Sequence, residues 1–415
     1  MCFSAGRRRD SLVTCCCYSS EAGEMQSAMR GKRVVFFSTP AKGHINAVYP
    51  VLRALAHAGV RVDWYCTEEY REPVERCGAA WHPYRVDFSR YRLEELTADF
   101  YQLYRGLLKL NRVCYYDYMR EVEANPPDLI LYDSMCSFAK NIAKKLDLPS
   151  ICLCTTLAYN LPTLIFSNLF WPSLKLTVKH APELLRLTLK EQCFRWREGL
   201  PGFSPLDLFV NRGDKTLVFS PPEFQPFAQS FPPSFDFVGT TIRDRIEADS
   251  SIENCDIYLS LGSIFAARTG ELERILETPL FRGKKVIVSA GYAAADLQKR
   301  IGRERLTFVR RTNQLALLPK TGLFVNHGGL NSVYESLYFG VFQICIPQQE
   351  EQRLTARLVE KKKLGLCCPR SRGWSEAELR RAELKCRPRI ERYRRILRSY
   401  DGTARALRCI QELLR

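Results

Sequence analysis

Short runs of wholly apolar residues, each followed by a turn and then a helical pattern, recur along this chain in two series, and that recurrence limits the fold more than any other feature. Val34-Val35-Phe36-Phe37 is too uniformly apolar for a sheet with one wet face and suits a strand covered on both sides. A loop at 38–46 follows. A helical pattern through Val51, Leu52, Leu55 and Ala56 then stops at Gly59, and 60–65 reads as the next strand. The alternation returns at 128–132, 138–146 and 150–154. A proline-rich stretch at 221–233 breaks it and reads as the approach to an interdomain linker. The second series has strand-like runs at 257–261, 286–289, 306–309, 323–326 and 343–346. Strands alternating with helices make doubly wound α/β sheets, and two in tandem leave a cleft between facing strand ends, where ligands bind.

With 415 residues the chain is too long for one ordinary core, which agrees with two domains. The formal net charge of +17 favours anionic partners. Without a zinc-finger or RNP pattern, however, the basic residues do not point to nucleic acid. There are 17 Cys, an odd count with no C-x-x-C pair, and only 5 His, so a metal domain or a disulfide-stapled fold is not expected. Reduced thiols in the cytoplasm fit better. Residues 1–30 read as a disordered extension, and no run is apolar and long enough to span a bilayer.

The stretch Val325-Asn326-His327-Gly328-Gly329-Leu330-Asn331-Ser332-Val333-Tyr334-Glu335 carries the most chemistry. A strand ends, two glycines let the chain turn tightly, and a helix starts at Asn331 or Ser332. Its unpaired N–H groups form an anion site to which His327 and Ser332 add side-chain donors. Glu335 could accept hydrogen bonds from two ribose hydroxyls, although Ser332-x-x-Glu335 is also a capping box. Gly262-Ser263 makes a second turn after a strand, and Pro347-Gln348-Gln349-Glu350-Glu351-Gln352 places an acid and an amide after another.

In order and spacing these elements resemble family 1 glycosyltransferases, in particular the bacterial macrolide-glycosyltransferase branch. The C-terminal likeness runs over 257–365, through L-G-S, Q-x-x-L-L, H-G-G-x-N-S-x-x-E, G-V and P-x-x-x-E-Q. An N-terminal likeness at 33–156 includes the Gly43-His44-x-Asn46 motif, placed in the first β-to-α loop. The resemblance implies a GT-B fold, two Rossmann-like domains facing each other across a cleft. Residues 31–236 would bind the acceptor and 237–395 the nucleotide sugar, and 396–415 would form a helix able to cross back to the first domain.

By the same resemblance, Ser263, His327, Asn331 and Ser332, with the Gly328-Gly329 turn, contact the diphosphate. Gln314 and Glu335 contact ribose, Arg311 and Thr312 the base, and Glu351 and Gln352 the transferred sugar. His44 is the implied general base and Asp133 its partner. Arg311 stands where the family carries an aromatic, and Asn313 and Phe342 where it carries prolines. No cofactor or metal is implied beyond the nucleotide sugar itself, with UDP-glucose the expected donor and a small hydrophobic molecule the acceptor. A nucleotide-sugar epimerase, a weakly catalytic nucleotide-sugar-binding protein and a membrane-associated enzyme acting on lipid remain open. The apolar stretch 161–174 motivates the peripheral membrane contact. The residues do not settle oligomeric state. The stripe of Tyr101, Tyr104, Leu107, Leu108, Tyr115 and Tyr118 reads as core or as acceptor-pocket wall.

Overall fold

A computed structural model describes residues 29–88, 100–166, 180–203, 212–262, 269–367 and 374–414. Ser263, most of the extension expected at 1–30 and the second part of the 161–174 stretch lie outside these residues.

The strands are β1 (Arg33–Phe37), β2 (Arg61–Cys66), β3 (Ala80–Pro83), β4 (Leu129–Asp133), β5 (Ser150–Cys154), β6 (Lys215–Val218), β7 (Phe235–Phe237), β8 (Cys255–Ser260), β9 (Val286–Ser289), β10 (Leu306–Val309), β11 (Thr321–Asn326), β12 (Phe342–Cys345) and β13 (Leu366–Cys367). Among the described residues they form two all-parallel sheets, ordered β3-β2-β1-β4-β5-β6-β7 and β10-β9-β8-β11-β12-β13. The helices used below are α1 (Lys42–His57), α2 (Phe100–Ala124), α3 (Ser137–Leu146), α4 (Ala181–Glu198), α5 (Leu330–Phe339), α6 (Glu350–Lys361), α7 (Glu376–Ser399) and α8 (Gly402–Leu414).

The expected burial on both faces holds at β1. Val34 and Phe36 pack in one cluster with α1 and α8, while Val35 and Phe37 pack in another with α2 and α3. Each such side chain stabilises the fold by about 1.5–3 kcal/mol. Most of the stripe on α2 proves to be core, with Tyr104, Leu107, Leu108, Tyr115 and Tyr118 buried, while Tyr101 is half-buried and stacks on His180 with ring centroids 4.4 Å apart.

Two features join the halves. The proline-rich segment sends Phe224 edge-on to Tyr334 of α5, with ring centroids 5.0 Å apart, and Ser220 is hydrogen-bonded to the Tyr334 hydroxyl at 2.5 Å. At the C-terminus α7 runs to Ser399, so the chain turns back at 400–401 rather than at 395, and α8 packs Ala406, Leu407, Ile410 and Leu414 into the β1–α1 core. No described helix is long and apolar enough to cross a membrane.

Candidate active site

Parallel pairing of β1 with β4 and of β4 with β5 brings three strand ends side by side at the point where the first sheet reverses its strand order. His44 follows β1, Asp133 ends β4, and Thr155 follows β5. His44 Nδ1 lies 2.7 Å from Asp133 Oδ2, and Thr155 Oγ1 lies 2.8 Å from the same nitrogen. Asp133 is 1% exposed, and its other oxygen accepts from Thr39 Oγ1 at 2.7 Å and from Met135 N at 3.0 Å. Burial alone would lower the imidazole pKa. The Asp133 charge and hydrogen bond, with help from Glu351, outweigh it and hold His44 above the ordinary value. Burial would likewise raise the Asp133 carboxyl, but His44, the Met135 N–H and Thr39 together keep it low. With Nδ1 tied to a carboxylate, Nε2 is the nitrogen left to take a proton.

The second sheet reverses order between β8 and β11, and Gly262 after β8 and the Gly328-Gly329 turn after β11 close on His327. Gly262 (φ +85) lies so close that a Cβ there would sit 3.1 Å from the imidazole. A Cβ on Gly329 would sit 2.3 Å from His327 Nε2, and one on Gly328 (φ +77) 2.9 Å from the Gln352 carbonyl. Asn326 fixes the turn by accepting from Gly328 N at 2.7 Å. Burial drives the His327 pKa down to about 4, the Ser260 carbonyl only partly opposing it, and Nδ1 is buried without a hydrogen-bond partner. This imidazole is neutral at pH 7.

Beside it, Glu335 accepts from Gln314 Nε2 at 2.5 Å and pairs with Arg245 at 2.9 Å. Arg311 and Lys42 complete a cationic set. Lys42 is held below its ordinary pKa by burial and by the Arg311 charge, against the pull of Glu335. The cleft mouth therefore carries more positive than negative charge around the expected ribose position, which suits a nucleotide diphosphate. Here too the two halves touch: Asn331 Nδ2 donates to the Gly43 carbonyl at 2.7 Å, one residue before His44.

The structure departs from the sequence reading in several places. His44 is not in a loop but in the first turn of α1, which starts at Lys42 with Ala41 as its N-cap and no side-chain cap. Helix α5 starts at Leu330, capped by Gly329, so Ser332 is inside the helix and Glu335 closes no capping box. Gln352, expected at the sugar, lies in the first turn of α6 and its amide oxygen accepts from Gln348 N at 2.8 Å. Asn313, standing for a proline, caps the helix Gln314–Leu317 by accepting from Ala316 N. Phe342 is buried in the β12 core. Thr312 and Arg311 follow β10 as expected, and Glu351 is near enough to His44 and Asp133 to act on both through its charge. Thr39, Lys42, Thr155 and Arg245 are additions that sequence reasoning did not single out. For Thr155 the available signal was its place directly after a buried strand.

Comparison with known proteins settles the family. The model of the family described as UDP-glucoronosyl and UDP-glucosyl transferase matches residues 243–378. The NDP-glycosyltransferase YjiC of Bacillus licheniformis is 30% identical over 355 residues, covering 81% of this chain and 85% of that protein. The chain belongs to this glycosyltransferase family. The glycosyltransferase is also similar to demethyllactenocin mycarosyltransferase of Streptomyces fradiae, 24% identical over 82% of this chain and 76% of that enzyme. Its GT-B fold is shared with the solved glycotransferase of kitacinnamycin (TM-score 0.75, 21% identity, 93% of this chain and 100% of that one). The calicheamicin glycosyltransferase CalG4 gives a TM-score of 0.71 at 21% identity, over 93% of this chain and 99% of that one. The enzyme takes a nucleotide sugar as co-substrate. Among its described residues no group of three or more His, Cys, Asp and Glu could hold a metal ion.

Proposed function

We propose that this glycosyltransferase transfers a hexosyl group, with UDP-glucose as donor, to a hydroxyl of a small hydrophobic acceptor such as a macrolide or a phenol, and inverts the anomeric centre. Residues 31–236 with α8 form the acceptor half, and 237–399 the donor half. His44 Nε2 takes the acceptor proton as that oxygen bonds to the anomeric carbon from the face opposite the breaking bond to the diphosphate. Asp133 stabilises the imidazolium that forms. The α5 entrance and the neutral His327 receive the departing diphosphate as hydrogen-bond donors, Glu335 and Gln314 hold the ribose, and Glu351 faces the transferred sugar.

The observation that carries this reading is the position of the His44–Asp133 pair, one residue from where the donor loop touches the first half. Purified protein incubated with UDP- and dTDP-sugars and a panel of phenols, macrolides and lipids should yield an acceptor product of inverted configuration. Retained configuration would overturn the mechanism. Donor turnover without acceptor would favour the epimerase, and donor binding without any product the binding protein.

One surface supports a lipid acceptor as the second reading. On α4, Leu185, Leu189 and Trp196 are 60%, 57% and 83% exposed along one stripe, with Arg186, Lys190 and Arg197 flanking them. Salt-sensitive co-sedimentation with anionic vesicles, lost in Leu189→Asp, is the outcome this reading requires.

A further inference from the structure

Just past the end of β10, where the resemblance in the sequence puts the donor base, this chain has Arg311. The adjacent strand supplies an aromatic of its own. β9 and β10 run parallel with Ser289 opposite Val309, and Ala290 N donates to the Val309 carbonyl at 3.0 Å. The segments leaving these strands therefore start side by side at the ligand-facing end of the sheet. One carries Tyr292, the other Arg310, Arg311 and Thr312. Tyr292 is 83% exposed, and the Arg310 guanidinium carbon sits 4.3 Å from its ring centroid. Gly291, in the left-handed region at φ +61, provides the turn that presents the ring.

An exposed tyrosine clamped on one face by a cation is a stacking surface ordered before anything binds. We propose that Tyr292 is the platform on which the donor's nucleobase stacks, with Arg310 holding the ring from behind. The inference rests on the donor-site reading above. It places base recognition on a π face rather than on hydrogen bonds, and every base has such a face. Uracil and thymine nucleotides should therefore be accepted with similar affinity.

The test is calorimetric titration of UDP and dTDP into the full-length protein and its Tyr292→Ala, Tyr292→Phe and Arg311→Ala variants, together with donor KM and kcat. Tyr292→Ala should weaken both nucleotides roughly five- to a hundredfold and raise donor KM with little change in kcat. Tyr292→Phe, which keeps the ring, should bind like wild type. Because the side chain is exposed, the thermal midpoint of Tyr292→Ala should match wild type, which separates lost stacking from misfolding. Wild-type affinity in Tyr292→Ala, with binding lost instead in Arg311→Ala, would overturn the platform and leave the donor site standing. Failure of the wild-type protein to bind either nucleotide would bring down the donor-site reading, and this inference with it.

Discussion

Two histidines flank the switch points of the two sheets, His44 after β1 and His327 after β11 and so on opposite sides of the reversal, and their surroundings make them chemically unlike. His44 faces a buried carboxylate and is held above the ordinary histidine value of 6.5. His327 faces glycines and a carbonyl, with no acid to pair with, and falls to about 4. The two switch points thus hold one imidazole with its pKa raised and one with it lowered, and what differs is whether an Asp ends the strand across the reversal. In the first sheet β4 ends in Asp133. In the second, the strand across the reversal from His327, β8, ends in Ser260.

Replacing that acid is the sharpest way to break the contrast. Asp133→Asn should lower kcat by about 10³–10⁴, because the imidazole loses its tautomer and its stabilising charge, while UDP affinity stays near wild type. In the wild-type enzyme kcat/KM should rise with pH through an apparent pKa above 6.5, since His44 must be neutral to act and its pKa is raised. The linkage has a definite sign: stability gained from the charged pair is present at low pH and is lost as pH rises through the His44 value. For His327 the sign is opposite. Stability should fall as pH drops from 6.5 toward 4, where the unfolded chain binds a proton that the fold resists.

A smaller effect probes the donor side. His327→Gln should weaken UDP roughly ten- to a hundredfold through loss of a hydrogen bond to a charged group, and in the wild-type protein UDP should raise the His327 pKa, as followed by histidine ring proton shifts. An unmoved titration would mean that the imidazole does not meet the diphosphate. The smallest effect is expected of Thr155→Val, about a two- to tenfold loss in kcat from one hydrogen bond, with donor KM unchanged and the acid limb of the pH profile displaced. A purely structural Thr155 would leave that limb in place.

How far the sequence reveals this arrangement depends on the residue. Strands such as 34–37 were legible because burial on both faces forbids polar interruptions, and His327 and Glu335 because a strand end, a Gly-Gly turn and a helix start are local signals, whereas Asp133 was implied only by the family resemblance. The start of α1 was hidden for local reasons too. Ala41 offers no capping side chain and Pro50 lies within the helix, so the pattern read as a longer loop. Arg245 and Lys42 reach Glu335 from distant parts of the chain, and no spacing encodes such a meeting. Thr155 escaped notice because a neutral hydroxyl after a strand has many uses.

The Asn331–Gly43 hydrogen bond works as a mechanical strut. It anchors the first turn of α5, expected to receive the leaving group, to the backbone carbonyl next to His44, so displacement of one half strains the seat of the other. Filling of the donor loop would then be felt directly at the first turn of α1, and the imidazole would be aligned by the arrival of the very molecule whose sugar is to be moved.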